Sequence, residues 1–291
     1  MSHRVIENDF LKVSISSNGA ELQNIFNKKT QLECLWDGNP NFWGKKSPIL
    51  FPIVGGLKNN RYLFQEKTYQ LNRHGFARDY EFSIVKKSNN SVCFKLTDSD
   101  STKESYPFKF SFLIEYKIVE NKLFCSYTIE NNNDCNMYFS VGAHPAFKIP
   151  LENTTNFSDW FLEFEQNENA DIFPLTDDGL LKTNSIQFLN HQNKLNLTKE
   201  LFYKDALVFK DLKSESISLR SEKSNHGLKM NFKGFPFFGI WSAKDADFIC
   251  LEPWCGIADS EKSNGGLVNK EGINLLEPSL IFTREWSVEL F

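Results

Sequence analysis

Apolar residues recur at every second position through much of the chain. In FKFSFLIEYKI (108–118), Phe108, Phe110, Phe112, Ile114, Tyr116 and Ile118 alternate with other residues. The alternation resumes after Glu120-Asn121-Lys122 at Leu123, Cys125, Tyr127 and Ile129. Period two is the spacing of a strand with one buried face, so this segment predicts a hairpin. Phe82 and Ile84, then Val92, Phe94 and Leu96, repeat the pattern around the turn signal KSNNS. So do Ile217 and Leu219 with Leu228, Met230 and Phe232, and the closing TREWSVELF alternates Trp286, Val288 and Leu290. Helical spacing is nearly absent; DSTKESYP (100–107) and NLTKELF (196–202) each predict no more than a short helical turn. Many antiparallel strands joined by polar turns predict packed sheets, as a sandwich or barrel. No Pro/Gly/Ser linker and no repeat divides the chain, so residues 1–291 are expected to form a single all-β domain. The polar stretch 165–196 is expected to be loop-rich and to wall a cleft.

Composition narrows the partners. Hydrophobic residues make up 41% and charged residues 24%, as in a soluble globular protein, and the 28 Phe reinforce the strand reading. A net charge of -4 disfavours nucleic acid. The charged N-terminus lacks a signal-like apolar run, and no stretch of about 20 apolar residues exists to span a membrane. A cytoplasmic location is therefore expected. The six cysteines form no C-x-x-C pair, and no histidine completes a familiar zinc spacing, so they read as reduced thiols and no metal is expected.

Four segments break the alternation and place ionisable groups beside Gly, Pro or aromatic residues. SPILFPIVGGLKNNRYLFQEKTYQLNRHGFARDYEF crowds Arg61, Arg73, His74, Arg78 and Asp79 together. A histidine between arginines tends to stay neutral, which suits hydrogen bonding to hydroxyls, although a solvated basic loop explains it equally well. In VGAHPAF, His144 follows two small residues at a strand end and precedes Pro145, where it is either a proton-transfer group or a core residue near a turn. Asp205 in DALVF is a turn residue or an acceptor for hydroxyls. Glu252 ends the buried-strand run FICL, where a carboxylate is costly unless paired or used. Trp254 follows it, and an aromatic face beside a carboxylate suits the C–H face of a pyranose. No G-x-S-x-G, H-E-x-x-H, P-loop or dinucleotide fingerprint occurs.

Together the segments NGAELQNI, NFWGKKSPILFPIVG, NNRYLF, HGFARDYEF, VGAHPAF, DALVF, CLEPWCGIAD and LLEPSLIFTREWSVELF resemble the aldose 1-epimerase (galactose mutarotase) family, in its LacX-like branch. The resemblance runs over essentially the whole chain. It implies a large antiparallel β-supersandwich with a sugar cleft on its concave face. It implies Glu252 as general base and His144 as general acid at an anomeric centre, with His74, Arg61 and Asp205 on sugar oxygens and Arg78 lining the pocket. It implies no cofactor, a hexose or hexose phosphate as the small-molecule partner, and a monomer or homodimer. Related members handle hexose 6-phosphates, for which Arg61 with Arg78 are the expected phosphate holders. A non-catalytic sugar-binding or sensing protein on the same fold is the alternative. The presence of both Glu252 and His144 argues against it.

Overall fold

The alternating segments are strands in the computed structural model, which describes residues 3–291. Met1 and Ser2 of the expected 1–291 unit lie outside the described residues. Strands β1 (His3–Glu7), β2 (Leu11–Ser16), β3 (Leu22–Asn27) and β4 (Leu32–Glu33) form one antiparallel sheet in that order. β5 (Arg61–Phe64) and β6 (Lys67–Gln70) form a separate hairpin. β7 (Ser83–Lys87), β8 (Ser91–Thr97), the one-turn helix α1 (Asp100–Ser105), β9 (Phe110–Val119) and β10 (Lys122–Asn131) follow. Next come β11 (Met137–Phe139), β12 (Val141–Gly142), β13 (Ala146–Lys148), β14 (Trp160–Ile172) and β15 (Ile186–Asn196). The chain continues through β16 (Leu207–Lys210), β17 (Ser216–Ser221), β18 (Ser224–Asn231) and β19 (Phe237–Trp241). It closes with β20 (Phe248–Cys255), β21 (Asn274–Leu276) and β22 (Ile281–Leu290). Fourteen of these strands make one large antiparallel sheet, running β12-β20-β19-β16-β14-β17-β18-β22-β10-β9-β8-β7, with β13 on β20 and β15 on β14. This is the expected β-supersandwich.

The predicted hairpin pairs Leu123 with Ile118, Cys125 with Tyr116 and Tyr127 with Ile114. All six of these side chains are fully buried on one face. Each such burial is worth about 1.5–3 kcal/mol for a large apolar side chain. Phe51 packs on this face, 4.7 Å from Phe112 and 5.1 Å from Phe110 between ring centres. The Tyr116 hydroxyl donates to the Ala20 carbonyl at 2.8 Å, which ties the four-stranded sheet to the large one. Helix α1 forms at the predicted place because Ser99 caps it: its hydroxyl accepts from Thr102 N–H while the Thr102 hydroxyl accepts from Ser99 N–H.

One expectation needs correction. Residues 165–196 are mostly strand, not loop: β14 and β15 pair along most of their length, with register shifts near Glu168 and Ala170. Exposed polar faces and these irregularities hide the period-two signal. Only the connecting residues between them are loop, and they do wall a cavity, through Leu175, Gly179 and Leu181. No helix among the described residues is long and apolar enough to cross a membrane.

Candidate active site

Strand β20 departs from the half-buried rule, because all eight of its residues are buried. β12 and β13 both pair with it, Gly142 opposite Trp254 and Ala146 opposite Cys250. The same register carried through the intervening residues sets His144 across from Glu252. Backbone bonds hold that link in place, Ala143 N–H to Pro253 O at 3.0 Å and Leu251 N–H to Pro145 O at 3.2 Å. The result is a contact of 3.2 Å between His144 Nε2 and Glu252 Oε2, with the two residues 8% and 1% exposed. The contact lacks hydrogen-bond alignment, and neither Glu252 Oε2 nor His144 Nδ1 has a hydrogen-bond partner.

Both groups line one cavity of about 350 Å³. That lies within the roughly 300–1,000 Å³ of small-molecule sites. Trp43 stacks on the His144 ring at 4.9 Å, and Trp241 meets it edge-on at 5.7 Å. His74 approaches the same ring at 5.6 Å. Its Nδ1 accepts the Gly55 N–H at 3.1 Å, so a neutral His74 carries its proton on Nε2 as a donor. The loop that presents His74 is tight. His74 itself has φ 70°, and at Gly75, φ 71°, a Cβ would stand 2.3 Å from the Phe51 carbonyl oxygen. Only glycine is compatible with that approach. Arg73 and Asp205 face each other at 3.7 Å on the rim, and Arg78 donates to the Arg73 carbonyl at 2.9 Å.

Burial dominates the electrostatics. It raises the Glu252 pKa well above the usual carboxylate value; Arg73 and the Trp254 side chain pull it back and Asp205 pushes it further up. Burial lowers the His144 pKa, and Arg73 and Arg78 lower it further. His74 is held well below its ordinary value by burial, then by His144, Arg73 and Arg78. Desolvation therefore favours the uncharged forms of Glu252 and His144, a pair that holds one transferable proton between two groups. Such a pair has one site loaded and one empty, so it offers an acid and a base at once.

The Aldose 1-epimerase family model matches residues 2–269. The chain belongs to the aldose 1-epimerase family. The chromosomal protein LacX of Lactococcus lactis subsp. lactis is 34% identical over 284 residues, with 94% of each chain covered. A galactose mutarotase related enzyme from Lactobacillus acidophilus superposes with a TM-score of 0.95 at 35% identity, covering 100% of this chain and 97% of the other. A galactose mutarotase-like protein from Lactobacillus casei ATCC 334 gives 0.94 at 30% identity, with both chains covered in full.

In this member of the family, the cavity gathers six of the seven residues singled out in the sequence: Glu252, His144, His74, Arg78, Asp205 and Trp254. Arg61 does not join them. It is exposed on β5 opposite Gln70 and does not line the cavity. The cation in the cavity beside Arg78 is Arg73. Its position next to His74 in NRHGFAR was the available signal. Trp254 also differs from an open sugar platform. It is 5% exposed, its indole lies against Gly142 and Gly239, and its Nε1 makes no well-aligned hydrogen bond, acting on the Glu252 carboxylate only loosely. Trp43 and Trp241 are the partly exposed aromatic rings of the cavity. Trp43 lies within the quoted segment NFWGKKSPILFPIVG, which was its available signal, and no local pattern marks Trp241.

Proposed function

We propose that the protein is a mutarotase that interconverts the α and β anomers of a hexose or hexose phosphate. The observation that carries this reading is the direct meeting of His144 and Glu252 in a single sugar-sized cavity. The hydroxyl oxygen at C1 and the ring oxygen are bonded to the same carbon, so two groups in contact reach both. Glu252 takes the C1 hydroxyl proton while His144 donates to the ring oxygen. The C1–ring-oxygen bond breaks with its pair going to the ring oxygen, which takes the His144 proton, and the pair of the C1 hydroxyl O–H bond forms the aldehyde C=O. Rotation about C1–C2 and closure on the other face return both protons.

In the sugar-free site burial favours the neutral pair. The ion-pair form that makes Glu252 the base differs from it by one proton moved across the 3.2 Å contact. Arg73 favours the ionised carboxylate of that form and, with Arg78, opposes its imidazolium. Either direction of reaction leaves the pair with the same proton count, as a reversible ring opening requires. His74 and Asp205 serve sugar hydroxyls, Trp43 and Trp241 the sugar's C–H face, and Arg73 with Arg78 a phosphate or an outer hydroxyl.

Each positioned acid or base contributes about 10²–10⁴-fold. Glu252→Gln and His144→Asn are each expected to remove the enzyme-dependent part of anomer exchange while sugar binding persists. Exchange NMR with glucose, galactose and their 6-phosphates measures the first, and calorimetry the second. Full activity in either variant would refute the assignment. Sugar binding without accelerated exchange in the wild type would instead establish the non-catalytic alternative.

A further inference from the structure

Cys250 and Glu252 are two residues apart on β20 and so present their side chains on the same face. His144 stands opposite in the register. One ligand atom from each of His144, Cys250 and Glu252 lies within 4.8 Å of the others. All three residues are more than nine-tenths buried, and Cys250 has no disulfide partner. Glu252 Oε2, the oxygen nearest His144, has no hydrogen-bond partner although only 1% of the residue is exposed. A buried acceptor left in this state has an unmet demand for a proton donor or a cation.

We propose that His144, Cys250 and Glu252 form an inhibitory binding site for a thiophilic divalent cation of the zinc type at the floor of the sugar cavity. The donor set is one imidazole nitrogen, one thiolate sulfur and one carboxylate oxygen. Zinc accepts all three, whereas magnesium and calcium prefer oxygen alone. Two ligands about 2.0–2.1 Å from a tetrahedral zinc ion stand about 3.3 Å apart. His144 Nε2 and Glu252 Oε2 are already 3.2 Å apart. The Cys250 sulfur has to swing inward to complete the triad, and its thiol proton leaves to solvent on ligation. Three protein ligands leave a fourth position, and the cavity that His144 and Glu252 line gives solvent and sugar access to those two ligands. A water or a sugar hydroxyl fills it.

The ion holds the same two side chains that the proposed proton transfers use. Occupancy therefore blocks anomer exchange, and the activity half of the test rests on that reading. The binding half does not.

Cobalt(II) is the direct probe. Titration of the purified full-length protein with Co²⁺ is expected to give a near-ultraviolet thiolate-to-cobalt band, saturating at one ion per chain and reversed by Zn²⁺. Cys250→Ala and Cys250→Ser, each checked for native near-ultraviolet circular dichroism, are expected to lose that band. In anomer exchange, Zn²⁺ is expected to inhibit the wild type and a chelator to restore it. Cys250→Ala, which leaves the acid and base in place, should need at least about tenfold more Zn²⁺ for half-inhibition, equivalent to about 1.4 kcal/mol. Absence of a thiolate band in the wild type, or a band that survives in a folded Cys250 variant, overturns the site. Equal zinc sensitivity of wild type and Cys250→Ala overturns its inhibitory role. A protein that shows no exchange activity but gives a Cys250-dependent cobalt band sinks the proposed reaction and leaves the site standing.

Discussion

The two ends of the fourteen-stranded sheet follow different rules. At one end β9, β10 and β22 alternate buried with more exposed positions along most of their length, and their fully buried residues are almost all apolar or aromatic. Trp286 and Tyr127 meet there in one internal hydrogen bond, at 3.0 Å, and both polar atoms are satisfied. At the other end β20 is buried throughout and carries a carboxylate beside an imidazole. The Trp254 indole N–H, without a well-aligned acceptor, lies next to them. Behind the cavity wall of Ile257 and Ala258, the Lys270 ammonium is buried against Asp259 at 3.0 Å and also donates to the Ile257 carbonyl. The far end gains stability from nearly every buried side chain. The site end holds ionisable groups out of water, which costs stability and is retained where the chemistry requires it.

Variants that remove comparable stability at the two ends make the sharpest test. Lys270→Met leaves Asp259, 4% exposed, without its cation. Breaking a buried pair in this way costs about 3–5 kcal/mol. Leu123→Ala at the far end, at a fully buried site, costs about 2–5 kcal/mol. Denaturant unfolding is expected to show similar losses. Exchange kinetics on the folded proteins should separate them. Asp259 also bonds Gly56 and Leu181 through its backbone and Lys58 N–H through its carboxylate, so its release disturbs the cavity wall and raises KM. Leu123→Ala should keep wild-type kcat and KM. A changed kcat in Leu123→Ala would erase the distinction between the ends.

A smaller perturbation probes how closely packing and chemistry are joined in the site. At Gly239, the register partner of Glu252, a Cβ would stand 2.5 Å from the Trp254 indole. Gly239→Ala is therefore expected to cost about 1–3 kcal/mol by overpacking. Displacement of the indole beside Glu252 should also shift tryptophan emission and lower kcat. Unchanged kcat and emission would show that the indole can shift without disturbing Glu252.

The same contrast explains what could be read in the sequence. Alternation at Phe108–Ile118 and Leu123–Ile129 named the far-end hairpin because one face is wet and one dry. β20 gives no such alternation, being dry on both faces. What marked it was a carboxylate and a proline placed where a buried run should have continued. His144 was visible for the same reason, as an ionisable group between Ala143 and Pro145. The contact itself was not legible, because the two residues meet only through the shared pairing of β12 and β13 with β20. Strands β14 and β15 were missed because their polar faces and register shifts mimic a loop. Trp43 and Trp241 were missed because an aromatic residue in a strand-rich chain looks like any other core residue until its neighbour is known. Cys250 carries no ligand signal in the sequence, because Cys-x-Glu is not a metal spacing by itself and His144 comes from a distant segment.

The smallest expected effect separates two arginines that the sequence put in one basic stretch. Arg61 is exposed on β5, opposite Gln70, and does not line the cavity. Arg73 is also largely exposed, yet its guanidinium lines the cavity, faces Asp205 at 3.7 Å and packs on Gly179. Exposed positions of this kind move stability by no more than about 0.5 kcal/mol, so unfolding should not distinguish Arg61→Ala from Arg73→Ala. Kinetics should. Loss of one charge-assisted contact to a sugar oxygen or phosphate is worth about 1.5–3 kcal/mol, a KM increase of roughly tenfold or more for Arg73→Ala. Arg61→Ala should leave KM unchanged. If the increase in KM is larger for a hexose 6-phosphate than for the free hexose, the cation holds the phosphate; equal increases place it on a hydroxyl common to both. An Arg61→Ala variant that weakens binding instead would mean that the β5–β6 hairpin reaches the sugar in the complex, and the boundary drawn between the site end and the rest of the molecule would have to move.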